Sequence, residues 1–189
     1  MSTKKLNRQV VVIGGGPAGT SCALSLQALG MEPTIIEQEQ FPRFHIGESM
    51  TGECGAAVRA LGVEKELAEM CKPVVKWGAS IYGAGGKNSF YVPVMGRDAD
   101  GELFDQSTWQ VRRSTLDKML LDTTRSRGIE VLDARAKAIL REDDNSASGV
   151  QVQTDRGIID IGCDYLVDAS GQSTFFANQG LTSEKLRGK

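Results

Sequence analysis

The stretch Gln9–Glu37, QVVVIGGGPAGTSCALSLQALGMEPTIIE, decides the fold. Gln9–Ile13 reads as a strand in which Val10–Ile13 are all β-branched and apolar, without polar alternation. That is the pattern of a strand buried on both faces in a parallel sheet. A glycine-rich turn follows at Gly14–Gly19. Ala18–Leu29 then reads as a helix, closed by Gly30 as its C-cap. Pro33–Ile36 reads as a second strand, ending at Glu37. Strand, helix and strand in so short a span make a β-α-β unit, whose parallel crossover is right-handed.

The turn has the spacing Gly14-x-Gly16-x-x-Gly19. After a strand and before a helix, this spacing points to a bound dinucleotide. Gly14 permits the tight turn. Gly16 lets the backbone approach a pyrophosphate lying at the positive end of the helix dipole. Gly19 allows close packing of helix on strand. Glu37 lies 18 residues past Gly19 and is placed to accept hydrogen bonds from the adenosine ribose. A carboxylate there disfavours a 2′-phosphate, so FAD or NAD is preferred over NADP.

Composition bounds the rest. The chain has 189 residues, which is one domain or one and a fraction. Its 24 acidic and 22 basic residues leave a net charge of −2. That balance gives no case for nucleic acid or an anionic membrane as partner. A single histidine, His45, argues against a Ser-His-Asp hydrolase or a multi-histidine metal site. Cys22, Cys54, Cys71 and Cys163 include no C-x-x-C pair, and scattered thiols suit a reducing cytoplasm. Basic residues before Val10–Ile13 imitate a leader, but the glycines cut the apolar run short. No stretch approaches the ~20 apolar residues of a membrane span. The 22 glycines are an excess, about 12% of the chain against ~7% usually.

Gln38–Ser49 reads as an irregular polar loop, Thr51–Leu61 as a helix and Val63–Met70 as a shorter one. Between Lys72 and Arg113 glycines and aromatics interleave with β-prone runs at Ala79–Tyr82, Ser89–Val94 and Trp109–Val111. This predicts a small antiparallel insert. Ser114–Arg127 reads as a helix, with Ser114 and Asp117 as a capping box and Gly128 as its end. Three β-prone segments follow, Glu130–Leu140, Gly149–Thr154 and Ile158–Val167, with a turn at Asp143–Ser146.

Three further motifs carry chemistry. In FPRFHIGES, Phe41–Ser49, Arg43 can pair with a pyrophosphate as a bidentate fork, and Gly47 allows close backbone approach. A solvated loop is the alternative. His45 reads as a structural hydrogen-bonder. In WQVRRSTLD, Trp109–Asp117, Arg112 and Arg113 precede a helix N-terminus, where the dipole disfavours a cation unless an anion lies close. Two solvated arginines are the alternative. In YLVDASGQS, Tyr165–Ser173, small residues stand where a sheet edge meets a dinucleotide, or simply form a strand-end turn.

GGGPAG, Glu37, FPRFHIGES, VRRSTLDKMLL and DASGQS, in this order, resemble the flavin-dependent halogenases within the FAD-dependent aromatic monooxygenase superfamily. FPR followed by GES is typical of the halogenase branch. VRRSTLD and DASG are shared with aromatic hydroxylases and geranylgeranyl reductase-like enzymes. KWGAS, Lys76–Ser80, is similar to the K-x-G-A/G segment of halogenases acting on phenols and pyrroles. Read from the residues alone, Lys76 is a surface lysine beside a strand.

The resemblance implies an α/β fold. A Rossmann-like FAD-binding domain in three layers (β/β/α) carries a parallel sheet with an antiparallel β-meander, plus the start of a small antiparallel substrate-facing sheet. It implies that residues 1–189 are this domain, incomplete at the C-terminus, with residues 72–112 as a β-rich substrate-side insert. FAD is expected to contact Gly14, Gly16, Pro17, Ala18, Gly19, Glu37, Arg43, Ile46, Gly47, Glu48, Ser49, Arg113, Asp168, Ala169 and Gly171, with no metal. Lys76 is expected to be the catalytic residue, delivering hypohalous acid made from reduced FAD, oxygen and halide. The implied partners are a separate NAD(P)H-dependent flavin reductase, a halide ion and a small electron-rich aromatic substrate, free or tethered to a carrier protein. An aromatic hydroxylase, a saturating reductase and a non-catalytic flavin-binding fragment are the alternatives. Family members are longer, carrying a Gly-Asp motif and, in halogenases, a W-x-W-x-I-P segment downstream.

Overall fold

The computed structural model describes residues 4–180. In chain order the elements are β1 (Lys4–Ile13), α1 (Pro17–Ala28), β2 (Pro33–Glu37), α2 (Gly52–Ala60) and α3 (Glu64–Glu66), which runs into a π-helical turn, Leu67–Cys71. Six short strands follow: β3 (Val74–Lys76), β4 (Gly78–Tyr82), β5 (Ser89–Pro93), β6 (Met95–Arg97), β7 (Leu103–Asp105) and β8 (Thr108–Gln110). The chain then forms α4 (Arg113–Ser126), β9 (Glu130–Asp133), β10 (Arg135–Arg141), β11 (Ala147–Thr154), β12 (Gly157–Asp168) and α5 (Phe175–Asn178). Two compact units result: one holds the chain up to Gln40 and from Leu120 onward, the other Phe41–Met119.

The first unit is built on one six-stranded sheet, ordered β10-β11-β12-β1-β2-β9. β12, β1, β2 and β9 run parallel. β10, β11 and β12 form an antiparallel meander. β12 belongs to both halves, pairing β1 from Ile159 to Asp168 and β11 from Gly157 to Gly162.

This order forces the sheet to fold over. β9 and β10 lie at its two ends, yet only Ala134 separates them in the chain. Laid flat, five inter-strand spacings would put the edges roughly 24 Å apart. Two Cα steps span at most ~7 Å. The meander therefore doubles back over the parallel strands. Val11, Ile13, Ile36, Ala134, Val150, Val152 and Ile161 fill the space between these two layers. Val10, Val12 and Ile35 alternate to the opposite face of the parallel strands and are also buried. α1 packs there, with Ala23 and Leu24 buried. The layers are thus sheet, sheet and helix, as the fold class anticipates.

One expected element is corrected. Glu130–Leu140 is not one strand but two, broken at Ala134. The Ala134 amide donates to the Glu37 carbonyl at 2.8 Å, beyond the last β2–β9 pair. No glycine or proline marks this break, so nothing local announces it.

The second unit carries α2, α3 and three two-stranded antiparallel ladders, β3–β8, β4–β5 and β6–β7. The antiparallel character matches expectation, and Val74–Lys76, Met95–Arg97 and Leu103–Asp105 are added strands of three residues each. Met50, Val58, Val63, Leu67, Val94, Trp109 and Val111 are buried here. Arg59 lies over the Trp109 ring at 4.6 Å and donates to the Ser107 carbonyl. α2 is capped by Thr51, whose side chain accepts from the Cys54 amide.

The expected capping box on α4 is also corrected. Both carboxylate oxygens of Asp117 are engaged by Arg113, at 2.7 and 3.0 Å. Arg113 and Asp117 are four apart and so share one helix face.

Candidate functional site

In the first unit, the carboxyl ends of β1, β2 and β12 converge. That is where ligands bind in open parallel sheets. Gly14 closes β1 with φ +108°, and its amide donates to the Ile36 carbonyl. A Cβ on Gly14 would run into the Ala169 carbonyl oxygen. A Cβ on Gly19 would run into the Gly14 carbonyl oxygen. Both glycines are therefore steric requirements of the turn, and Gly19 packs on the turn itself rather than only on a strand. Gly16 is the N-cap of α1 and offers no side chain, with Pro17 at the first helical position. The early amides of α1 have no intrahelical acceptor.

Glu37 ends β2 and is buried. Its Oε2 accepts from the Gly15 amide at 2.6 Å and its Oε1 from the Glu39 amide at 2.7 Å. The acid expected to meet a ribose also pins the glycine turn. Gly15 is the residue that the spacing rule missed. Its only signal is its place as the middle of three consecutive glycines, Gly14–Gly16.

The DASG segment sits against the same turn, with the Ala169 amide donating to the Ile13 carbonyl. Asp168 Oδ1 accepts from the Ser170 amide and Oδ2 from the Phe176 amide. Asp168 thus holds the strand-end turn and the entry to α5. Gly171 begins a single 3₁₀ turn after it. Gly14, Gly16, Pro17, Ala18, Gly19, Glu37, Asp168 and Ala169 lie together at this end of the sheet.

A cavity of about 710 Å³ opens at the other end of these strands, lined by Arg8, Gln27, Glu32, Thr34 and Glu130 among others. It lies away from the glycine turn and supports no catalytic reading.

In the second unit, the FPRFHIGES segment is fastened to β8. Ser49 bridges Gln110, the Met50 amide donates to the Trp109 carbonyl, and the Val111 amide donates to the Glu48 carbonyl. Arg43 stacks on the Phe41 ring, its Cζ 4.7 Å from the centroid. Arg113 Nη1 donates to the Ile46 carbonyl at 2.9 Å and would lie 3.2 Å from a Cβ on Gly47. The anion that the twin arginines call for is, for Arg113, the fully buried Asp117. His45 and the Ile46 side chain are exposed.

Lys76 ends β3 and is half-buried. Its Nζ donates to Ser49 Oγ at 3.0 Å and to the Met50 carbonyl at 2.9 Å. Met50 is not legible in the sequence, because a backbone oxygen leaves no trace in residue type. Asp117 had a sign, its i,i+4 spacing from Arg113.

The four cysteines are free thiols. Burial raises the pKa of the Cys22, Cys71 and Cys163 thiols, which favours their protonated form. Among the described residues no helix is long and apolar enough to cross a membrane.

Comparison with known proteins fits this geometry. The chain is 35% identical over 176 residues to a 1H-pyrrole-2-carbonyl-[peptidyl-carrier protein] brominase of Pseudoalteromonas luteoviolacea, covering 93% of this chain and 40% of that protein. A flavin-dependent halogenase of Armillaria mellea is 29% identical over 185 residues, covering 94% of this chain and 34% of the relative. The solved structure of the flavin-dependent brominase Bmp2 superposes with a TM-score of 0.80 at 34% identity, over 93% of this chain and 41% of that one. The chain thus spans between about a third and two fifths of the length of these three relatives. The glycine turn, Glu37 and the DASG turn all fall within residues 7–185, which match the model of the FAD binding domain, and it is to this family that the chain belongs.

Proposed function

We propose that this chain supplies the FAD-binding part of a flavin-dependent halogenase acting on an electron-rich aromatic ring. The first unit's own residues fit the cofactor. Side chains at Gly14 and Gly19 would fill the turn. The uncapped start of α1 offers amides to a pyrophosphate. Each Glu37 oxygen has accepted one amide and keeps a lone pair for a ribose hydroxyl. The Asp168 turn presents Ala169 and Gly171 beside them. The family pattern adds Arg43, Ile46, Gly47, Glu48, Ser49 and Arg113 as cofactor contacts. When bound and reduced, FAD would supply two of the four electrons that reduce oxygen, and the halide would give the other two as it is oxidised to hypohalous acid.

The observation that carries the halogenase reading is Lys76. It stands in the family's K-x-G-A context, and its ammonium is tethered by two protein acceptors rather than left in solvent. A fixed N–H donor can hold the oxygen of hypohalous acid and aim the halogen at the ring. The ring then gains the halogen and loses a proton, and water leaves. The pyrrolyl group on a carrier protein, named for the bacterial relative, sets the substrate class we favour. A separate reductase using NAD(P)H would provide the reduced flavin. The residue set Phe41–Met119 carries the β-rich insert that we assign to the substrate side.

The test has two arms. Titrating the purified chain with FAD should quench flavin fluorescence; a chain that takes up no FAD overturns an autonomous cofactor site. In the longer protein carrying this sequence, given reduced FAD, oxygen, bromide and a pyrrolyl acceptor, Lys76→Ala should abolish brominated product while flavin oxidation continues. Product formation unaffected by Lys76→Ala sinks the role of the lysine, and hydroxylated or reduced product in its place favours a monooxygenase or reductase.

A further inference from the structure

We infer that the Ser49 hydroxyl is a positioning group for Lys76, a role beyond the cofactor contact the family pattern gives Ser49. The inference rests on the reading of Lys76 as the residue that meets the halogenating species.

The geometry begins at β8. Lys76 pairs with Thr108 across the β3–β8 ladder, and Val74 pairs with Gln110. Gln110 also bridges Ser49, so Ser49 lies on the other edge of β8. The Met50 amide holds the Trp109 carbonyl on that same edge, and Thr108 Oγ1 donates to the Thr51 carbonyl. Lys76 and its two acceptors are therefore carried by strands on opposite sides of one central strand. Those outer strands stand roughly 10 Å apart. The lysine stem has to cross β8 to reach Ser49 Oγ and the Met50 carbonyl. A four-carbon chain drawn across that span has few rotamers left.

The ammonium has three N–H donors and no acceptor. Ser49 takes one at 3.0 Å and Met50 takes another at 2.9 Å. With two donors fixed on separate anchors, the third N–H has one direction. It is the donor left for an incoming oxygen acceptor. Removing the Ser49 hydroxyl leaves one anchor, about which the head group can swing. The Met50 carbonyl cannot be removed by a side-chain change, so Ser49 is the lever.

Competitive labelling with trace acetic anhydride reads this without any turnover. Peptide mass spectrometry gives the acetylation of Lys76 relative to the exposed Lys87 in the same molecule. In Ser49→Ala the Lys76/Lys87 ratio should rise about two- to fivefold, the loss expected for one partly exposed tether. Ser49→Thr, which restores a hydroxyl, should return the ratio toward wild type, with all three proteins sharing one unfolding midpoint. An unchanged ratio in Ser49→Ala, or no rescue by threonine, overturns the inference. The outcome is separable from the halogenase reading. A labelling shift with a fully active Lys76→Ala protein keeps the tether and discards the catalytic role. The reverse pattern keeps the catalytic lysine and discards the tether.

Discussion

Replacing Gly14 by alanine puts two separate penalties on one residue. The backbone there has φ +108°, a region that side chains avoid, and the new Cβ meets the Ala169 carbonyl oxygen. Backbone strain of this kind costs on the order of 1–3 kcal/mol, and the collision adds to it because the Ala169 carbonyl is backbone and the Cβ has no rotamer by which to avoid it. We expect Gly14→Ala to lower the urea midpoint accordingly and to abolish FAD uptake, both measured on the purified chain. A variant with unchanged midpoint would show that the β1–α1 turn and the DASG turn are not in contact. Glu37 belongs to the same scale. One buried carboxylate serves two amides, so its chemistry toward a cofactor cannot be separated from its hold on Gly15.

At the scale of elements, β1 and β9 are tied across β2 by a bidentate pair. Arg8 donates to Glu130 at 2.7 and 3.0 Å, and Thr34 from β2 donates to the same carboxylate. The Arg8 hydrogen bond is the largest cause holding the Glu130 pKa below the ordinary glutamate value, against a smaller opposing effect of burial. A carboxylate with a depressed folded pKa stabilises the native state above its unfolded pKa. That contribution fades as pH falls through the folded value. We therefore expect stability to drop on acidification through and below the glutamate range, and Glu130→Gln to flatten part of that slope while costing little of it already lost in acid. Denaturant titrations across the acid range measure this. The pair is partly exposed, so at neutral pH the effect is about 1 kcal/mol or less.

Over the whole molecule, apolar exposure is concentrated in the second unit. Trp77, Tyr82, Phe90, Tyr91 and Leu103 are each more than half exposed. In the β4–β5 ladder, Ile81 pairs with Phe90 and Ser80 with Tyr91, so aromatics stand on both faces of a two-stranded ribbon. Such ribbons gain stability from further strands or a covering layer, and large contiguous apolar patches mark interaction surfaces. We expect the chain to bind a hydrophobic dye such as ANS in its folded state and to self-associate as concentration rises, read by sedimentation velocity. Tyr91→Ser with Phe90→Ser should reduce both; a strictly monomeric wild-type chain that binds no dye contradicts this.

The amino-acid sequence by itself determined the β-α-β start, its glycine turn, the acid at Glu37 and the small-residue turn after β12. Those features are legible because they are local: turn conformation, hydrophobic period and helix ends depend on residues a few positions apart. Only the tertiary structure decided that the chain breaks at Ala134 to reach both edges of the sheet, since strand order, not residue type, sets that crossing. It also decided that Asp117 serves Arg113 and not a cap, that Asp168 locks a turn, and that Lys76 is moored to residues 26 and 27 positions earlier. Each of these is a hydrogen bond whose partner is chosen by which strands become neighbours. A residue's own identity carries its donors and acceptors, but their partners are fixed only when distant segments are packed side by side.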